Sequence, residues 1–299
     1  MISYFCRLNF DCFTCNNDWL YITAGMLQGS PLGLLSFLLL IADITVDCLT
    51  HKYVDDTTLT ELLPRSSQQT YMHTFLQQLQ TWATPNKMNI NFSKTKEMIL
   101  GPLAKSPPQL LSDCSTNNPV SVERVQHFKL LGITLSHDIS WQAHIDAIIT
   151  KASSRLYFLK ILKKSGIQSH QLRHFYLSVI RPILEYCSPI WHHGVTKAQA
   201  ESLEAIQCRA LRIIDSSTVG MPYELSLTQF VYLHDCREHL NKFFFTSITI
   251  PSSCISRLLH PLRDSSITSR LRTPSLYPRP ATRTKCYTSF IHHALLNYQ

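Results

Sequence analysis

Two adjacent carboxylates, Asp55 and Asp56, lie in the stretch HKYVDDTTLT at 51–60. Like charges side by side repel each other unless a cation neutralises them. A tight turn would present both to one solvent-facing spot. Hard oxygen ligands of this kind suit Mg²⁺ (or Mn²⁺) with substrate phosphates as the remaining ligands. In phosphoryl transfer such ions activate the attacking hydroxyl and stabilise the leaving oxygen. The dipeptide alone reads better as a plain Asp-Asp turn. A second cationic feature follows at Asn91-Phe92-Ser93-Lys94-Thr95-Lys96. A third spans 145–185, where Lys151, Arg155, Lys160, Lys163, Lys164, Arg173 and Arg181 face only Asp146 and Glu185. Positive charge without acidic neighbours suits a phosphate backbone, and an ordinary solvated basic face is its bland counterpart.

The whole chain leans the same way. Lys plus Arg number 28 against 20 Asp plus Glu, a net charge of +8. That excess fits a polyanionic partner. Hydrophobic residues make up 44% of the 299 residues, enough for more than one core. The start, MISYFCRLNF, lacks the pattern of a signal peptide, and Leu32–Ile41 is too short to span a bilayer. The expectation is an intracellular protein, nuclear or cytoplasmic, without a membrane partner, whose 10 cysteines are reduced. Cys12-x-x-Cys15 lacks a second pair at zinc-finger spacing, and Cys187 with His192 and His193 reads better as a helix end than as a metal site.

The elements that would position these residues are legible in outline. Ser30-Pro31 suits a helix start, and the apolar run that follows predicts a helix to about Asp47. Tyr53, Val54, Thr57 and Thr58 favour the strands of a hairpin. A helix is expected over 66–83, then a basic loop and strand over 88–100, a polar loop over 102–119 and a strand pair over 128–135. From 141 the period becomes helical, with Ile145, Ile148, Ala152, Leu156 and Leu159 on one stripe. Further helices are expected over Ser169–Tyr186, kinked at Pro182, and Lys197–Ile214; after 215 the pattern weakens.

The run Gly25-Met26-Leu27-Gln28-Gly29-Ser30-Pro31-Leu32-Gly33, an apolar helix, then Lys52-Tyr53-Val54-Asp55-Asp56-Thr57-Thr58-Leu59 resembles motifs B and C of reverse transcriptases of non-LTR, LINE-like retrotransposons. Asn91 to Met98 is similar to motif D, and Phe128-Lys129-Leu130-Leu131-Gly132-Ile133 to the primer-grip strands. Leu184 to Trp191 and Leu203 to Gln207 resemble the helical region after the palm. The resemblance implies an α+β fold, a partial polymerase palm of a helix plus antiparallel hairpins followed by a helical thumb-like region. It places the palm in 1–140, the thumb in 141–215 and a basic, partly disordered region in 216–299.

It also implies roles. Asp55 and Asp56 would hold Mg²⁺, and Lys94 or Lys96 would assist the departing pyrophosphate. Gln28, Gly29 and Tyr53 would touch template, nascent pair and primer. Lys151, Arg155, Lys160, Lys163 and Lys164 would grip the nucleic-acid backbone. The partners would be an RNA template, a DNA primer and deoxynucleoside triphosphates. The family's motif A aspartate has no counterpart before Gly25, since Asp11 lies too close to Gln28 and Asp18 reads as a surface residue. The expectation is therefore a truncated RNA-directed DNA polymerase, a nucleotidyltransferase by descent that is inactive alone.

A rival expectation is a catalytically dead nucleic-acid-binding remnant. Within it, the stretch of about 137–170 is similar to the N-terminal helical segment of AlkB homologues. The iron triad of their dioxygenase domain has no counterpart in the chain.

Overall fold

Residues around Asp55 and Asp56 do form a hairpin. The computed structural model describes residues 2–9, 31–64, 69–101, 104, 122–227, 230–268, 270, 275–278 and 289–298, which group into two compact units. The first comprises 1–130 with 135–139, and the second 131–134 with 140–299.

Unit 1 contains β1 (Ile2–Asn9), α1 (Pro31–Ala42), β2 (Leu49–Tyr53), β3 (Asp56–Glu61), α2 (Met72–Ala83), β4 (Asn89–Ile90), β5 (Lys96–Ile99) and β6 (Glu123–Arg124). The strands form one sheet of order β2-β3-β1-β5-β6, with β4 pairing the end of β1. All pairs are antiparallel except β5–β6. Then β7 (His127–Leu130) and β8 (Ile133–Ser136) make a separate two-stranded hairpin. The division between the units falls within that hairpin.

Side chains fix the joins of unit 1. Helix α1 stops at Ala42, five residues before the expected Asp47. Lys52 Nζ donates to the carbonyls of Ile41 (2.9 Å), Ala42 (3.1 Å) and Ile44 (2.9 Å), so a cation from β2 closes the helix. Asp43 and Asp47 then bind Trp82 and Gln78 of α2 instead of continuing the helix. Glu61, buried at the end of β3, accepts from Thr70 Oγ1 (2.6 Å) and the Tyr71 N–H (3.0 Å), satisfying donors at the start of α2. The core joins Phe37, Ile41, Leu59, Met72, Leu76 and Leu79. Helix α1 is apolar all round and leaves Leu32, Leu35, Leu38 and Leu39 exposed.

Unit 2 is helical. It contains α3 (Gln142–Lys164), α4 (Ser169–Phe175), a π turn (Tyr176–Ile180), α5 (Arg181–Glu185), α6 (Ser188–Trp191), α7 (Lys197–Ile214), α8 (Tyr223–Ser226), α9 (Leu233–Thr249), α10 (Ser265–Thr268) and α11 (Phe290–Asn297). The expected second helix is thus continuous from Ser169 to Glu185, with its irregular π turn just before Pro182, whose missing N–H cannot continue the ladder. Helix α7 begins at a reciprocal capping box between Thr196 and Gln199. Its last carbonyl, that of Ile214, accepts from Lys163 Nζ (3.0 Å) and Ser169 Oγ (3.3 Å). Ile145, Ala152, Leu159, Tyr176, Trp191 and Ile206 belong to one buried cluster.

The coarse expectation of a mixed α+β chain holds. A polymerase palm is not shown by this arrangement. Among the described residues no helix is long and apolar enough to cross a membrane.

Candidate functional site

The Asp-Asp turn differs from its expected form. The two turn residues are Val54 and Asp55, while Asp56 already pairs with Tyr53 as the first residue of β3. The two residues therefore do not share the turn. Asp56 lines a pocket of about 420 Å³, together with Thr57, Thr58, Ser93, Lys94, Lys96, Val125 and the β7 residues His127 to Leu130. Asp55 is not among its lining residues.

Val54 takes φ +51°, a region that a β-branched residue rarely occupies. Left-handed backbone at such a residue costs about 1–2 kcal/mol. Val54→Gly is expected to leave the stability of unit 1 within about 1 kcal/mol of the parent, because relief of the strain is offset by lost packing of Val54 against the core and by a looser unfolded chain. A urea melt checks this, and a larger drop in midpoint would show that the packing outweighs the strain.

The pocket brings together some expected residues and omits others. Lys94 and Lys96 both line it with Asp56, and Lys129 adds a third ammonium group. Lys96 Nζ is engaged by Glu123 Oε2 at 2.5 Å and the Ser93 carbonyl at 2.9 Å. The Asn91 side chain accepts from Ser93 Oγ at 2.6 Å and from the Lys94 N–H at 3.1 Å, shaping the turn that carries both lysines. Tyr53 is largely exposed. Gln28, Gly29, Cys12 and Cys15 lie outside the described residues. Among the described residues no group of three or more His, Cys, Asp or Glu side chains is placed to hold a metal. With Lys96 paired to Glu123, the pocket keeps Lys94 and Lys129 beside Asp56, a balance that suits an anion better than a divalent cation. These residues do not fit the expected Mg²⁺ or Mn²⁺ site.

In unit 2 the basic residues divide by face. At about 100° per residue, Lys151 and Arg155 flank the buried stripe of Ile145, Ile148, Ala152, Leu156 and Leu159 on one side. Lys160 and Lys164 flank it on the other, and all four are exposed. Lys163 is half-buried and committed to the end of α7. The face directly opposite the stripe carries Tyr157, Phe158 and Ile161, at 63%, 46% and 41% exposure. The Arg155 guanidinium lies 5.8 Å from the Phe158 ring centroid. Sequence reasoning named these cations and passed over the aromatics between them, although their spacing from the stripe already put them outside.

A polar network holds the helices behind this face. Tyr176 donates to Gln207, Gln207 donates to Tyr223 Oη (2.9 Å), and Tyr223 donates to Glu204 (2.7 Å). Glu204 also accepts from the N–H groups of Leu233 (3.3 Å) and His234 (2.8 Å), capping α9 from the side of α7.

The class these features define is a basic α+β chain whose helical unit presents cations and aromatics to solvent. The family described as alkylated DNA repair protein alkB homolog 8, N-terminal, matches residues 141–181, which run from the start of α3 to Arg181. No curated protein and no solved structure matches the chain. The match is to an AlkB-homologue segment and not to a polymerase, which overturns the reverse transcriptase and retrotransposon expectation. The physical reasons agree. Asp55 sits in the hairpin turn while Asp56 belongs to β3, and the pocket that Asp56 lines is lysine-rich.

Proposed function

We propose that this chain binds nucleic acid through the phosphate backbone, as a binding unit rather than a catalyst. The observation that carries this is the outer surface of α3. Between Asp146 and Glu185 there is no carboxylate, and Lys151, Arg155, Lys160 and Lys164 all reach solvent along about 20 Å of one helix. Phosphate contacts need charge and reach, not base-specific geometry. The description of the matching family, a protein of alkylated-DNA repair, is in keeping with such a partner. The lysine-lined pocket of unit 1 offers an anion the same kind of surroundings.

Each neutralised phosphate contributes about −0.9 to the slope of log affinity against log salt on duplex DNA. The variant Lys151→Gln/Arg155→Gln/Lys160→Gln/Lys164→Gln is therefore expected to flatten that slope by roughly 3 to 4 and to weaken binding equally across sequences. Fluorescence anisotropy with labelled duplex DNA at several salt concentrations measures both. An unchanged slope would refute the assignment.

A further inference from the structure

We infer that the outer face of α3 is a single-strand platform, on which unpaired bases stack against Tyr157 and Phe158 while their phosphates meet the flanking cations. This rests on the nucleic-acid reading above and names the form of nucleic acid.

The geometry has two independent parts. The first is the position of the aromatics. Tyr157 and Phe158 stand on the solvent side of a helix whose opposite side is fully committed to the core. An exposed aromatic is unremarkable alone, but here two lie together with ring centroids 5.9 Å apart, edge to face, and Ile161 lies one turn on from both. Their rings are tilted by 68° to one another, so they offer two differently directed π-faces. Every base has a π-face of its own, and stacking on such side chains needs no particular sequence.

The second part is the arrangement of charge. Lys151 and Arg155 run along one edge of the aromatic strip, and Lys160 and Lys164 along the other. A strand lying along this face would place its bases on the central strip and find an ammonium or guanidinium group to either side. Arg155 already sits over the Phe158 ring, the position from which it can bridge that ring and a phosphate. A duplex hides its base faces within the stack and would use only the cations. Charge complementarity selects a polyanion, and the aromatic strip selects a polyanion with free planar groups, which is single-stranded RNA or DNA.

The test compares labelled oligo-uridine with a duplex of equal length by fluorescence anisotropy, using the full chain. Tyr157→Ala/Phe158→Ala is expected to weaken oligo-uridine binding by roughly tenfold or more, since each stacked base contributes about 1–3 kcal/mol. Duplex affinity and the salt slope should stay as in the parent chain. Tyr157→Trp/Phe158→Trp should retain single-strand affinity, and Tyr157→Leu/Phe158→Leu should not, which separates stacking from mere apolar contact. The outcomes that overturn the inference are equal loss on both probes, no loss on either, or leucine serving as well as tryptophan. If the aromatic variants change nothing while the four-cation variant still weakens binding, the platform is wrong and the backbone reading stands. If the parent chain binds neither probe at low salt, both fall. Because both rings are exposed, these variants should melt as the parent does, and a circular dichroism melt verifies that.

Discussion

Replacing Glu204 with alanine is expected to lower the stability of the helical unit by about 3–5 kcal/mol, the range for stranding a buried charge by removing its partner. Glu204 meets Arg237, whose side chain is buried, at 4.0 Å. Burial pulls the Arg237 guanidinium below its ordinary range, and Glu204 is the strongest charge opposing that pull. Nη1 of Arg237 has no hydrogen-bond partner among the described residues, so its environment is already costly. The same carboxylate caps α9 and accepts from Tyr223, so alanine would unsatisfy three further donors. Glu204→Gln keeps an acceptor oxygen but loses the charge, and should fall between the parent and alanine. Arg237→Met removes the charge that needs compensation and fills a similar volume, so it should cost less than Glu204→Ala. Urea unfolding followed by far-ultraviolet circular dichroism gives all three values. Glu204→Ala costing no more than Arg237→Met would show that the pair is not what holds α9 to α7.

That network explains what could and could not be read along the chain. Helix α7 was legible from Lys197 to Ile214 because its core side repeats Leu203, Ile206, Ala210 and Ile214 at helical spacing. Helix α9 was hidden because its buried side reads Leu233, Arg237, Asn241, Phe245 and Ile248. Two of those five positions are polar, and Arg237 is compensated there by groups of other elements, Glu204 first among the charges. No periodicity within 233–249 encodes that partner. The hairpin at 51–60 was legible from β-branched residues, but its turn was placed one residue late. The Asp pair suggested the tip, while pairing of Tyr53 with Asp56 forced Val54 into the left-handed position. The pocket joining Asp56 to Lys94, Lys96 and Lys129 was partly visible, since the first three were singled out. What they do together was misread, because the charge balance of a pocket depends on strands that meet only in the fold. The resemblance to polymerase motifs rested on order and spacing along the chain. Neither property says whether two adjacent carboxylates converge.

The stability of the helical unit is expected to fall steadily as pH drops below about 6.5, and His192 is the reason. Arg237 Nε donates to His192 Nδ1 at 3.2 Å, and an arginine can only donate. Nδ1 must therefore be the bare acceptor, and the ring proton sits on Nε2, facing Glu238 Oε2 at 3.5 Å. The contact with Glu238 is thus made by a neutral imidazole and is not an ion pair. Burial, followed by the Arg237 charge and the neighbouring His234, His293 and His193, pushes the His192 pKa down to about 3. In the unfolded chain the same ring titrates near 6.5. Between those values the unfolded chain binds a proton that the folded one refuses. Stability is then complete above about pH 6.5 and is lost at up to about 1.4 kcal/mol per pH unit as the medium acidifies. His192→Asn places an amide oxygen where Nδ1 accepts and cannot titrate. It should lose part of the packing with Trp191 and His234 at every pH, yet give a flatter profile between pH 6.5 and about 4. Thermal melts of both proteins across that range decide the matter. Parallel profiles would place the acid sensitivity elsewhere, with His144 and His293 also held below their ordinary range by burial.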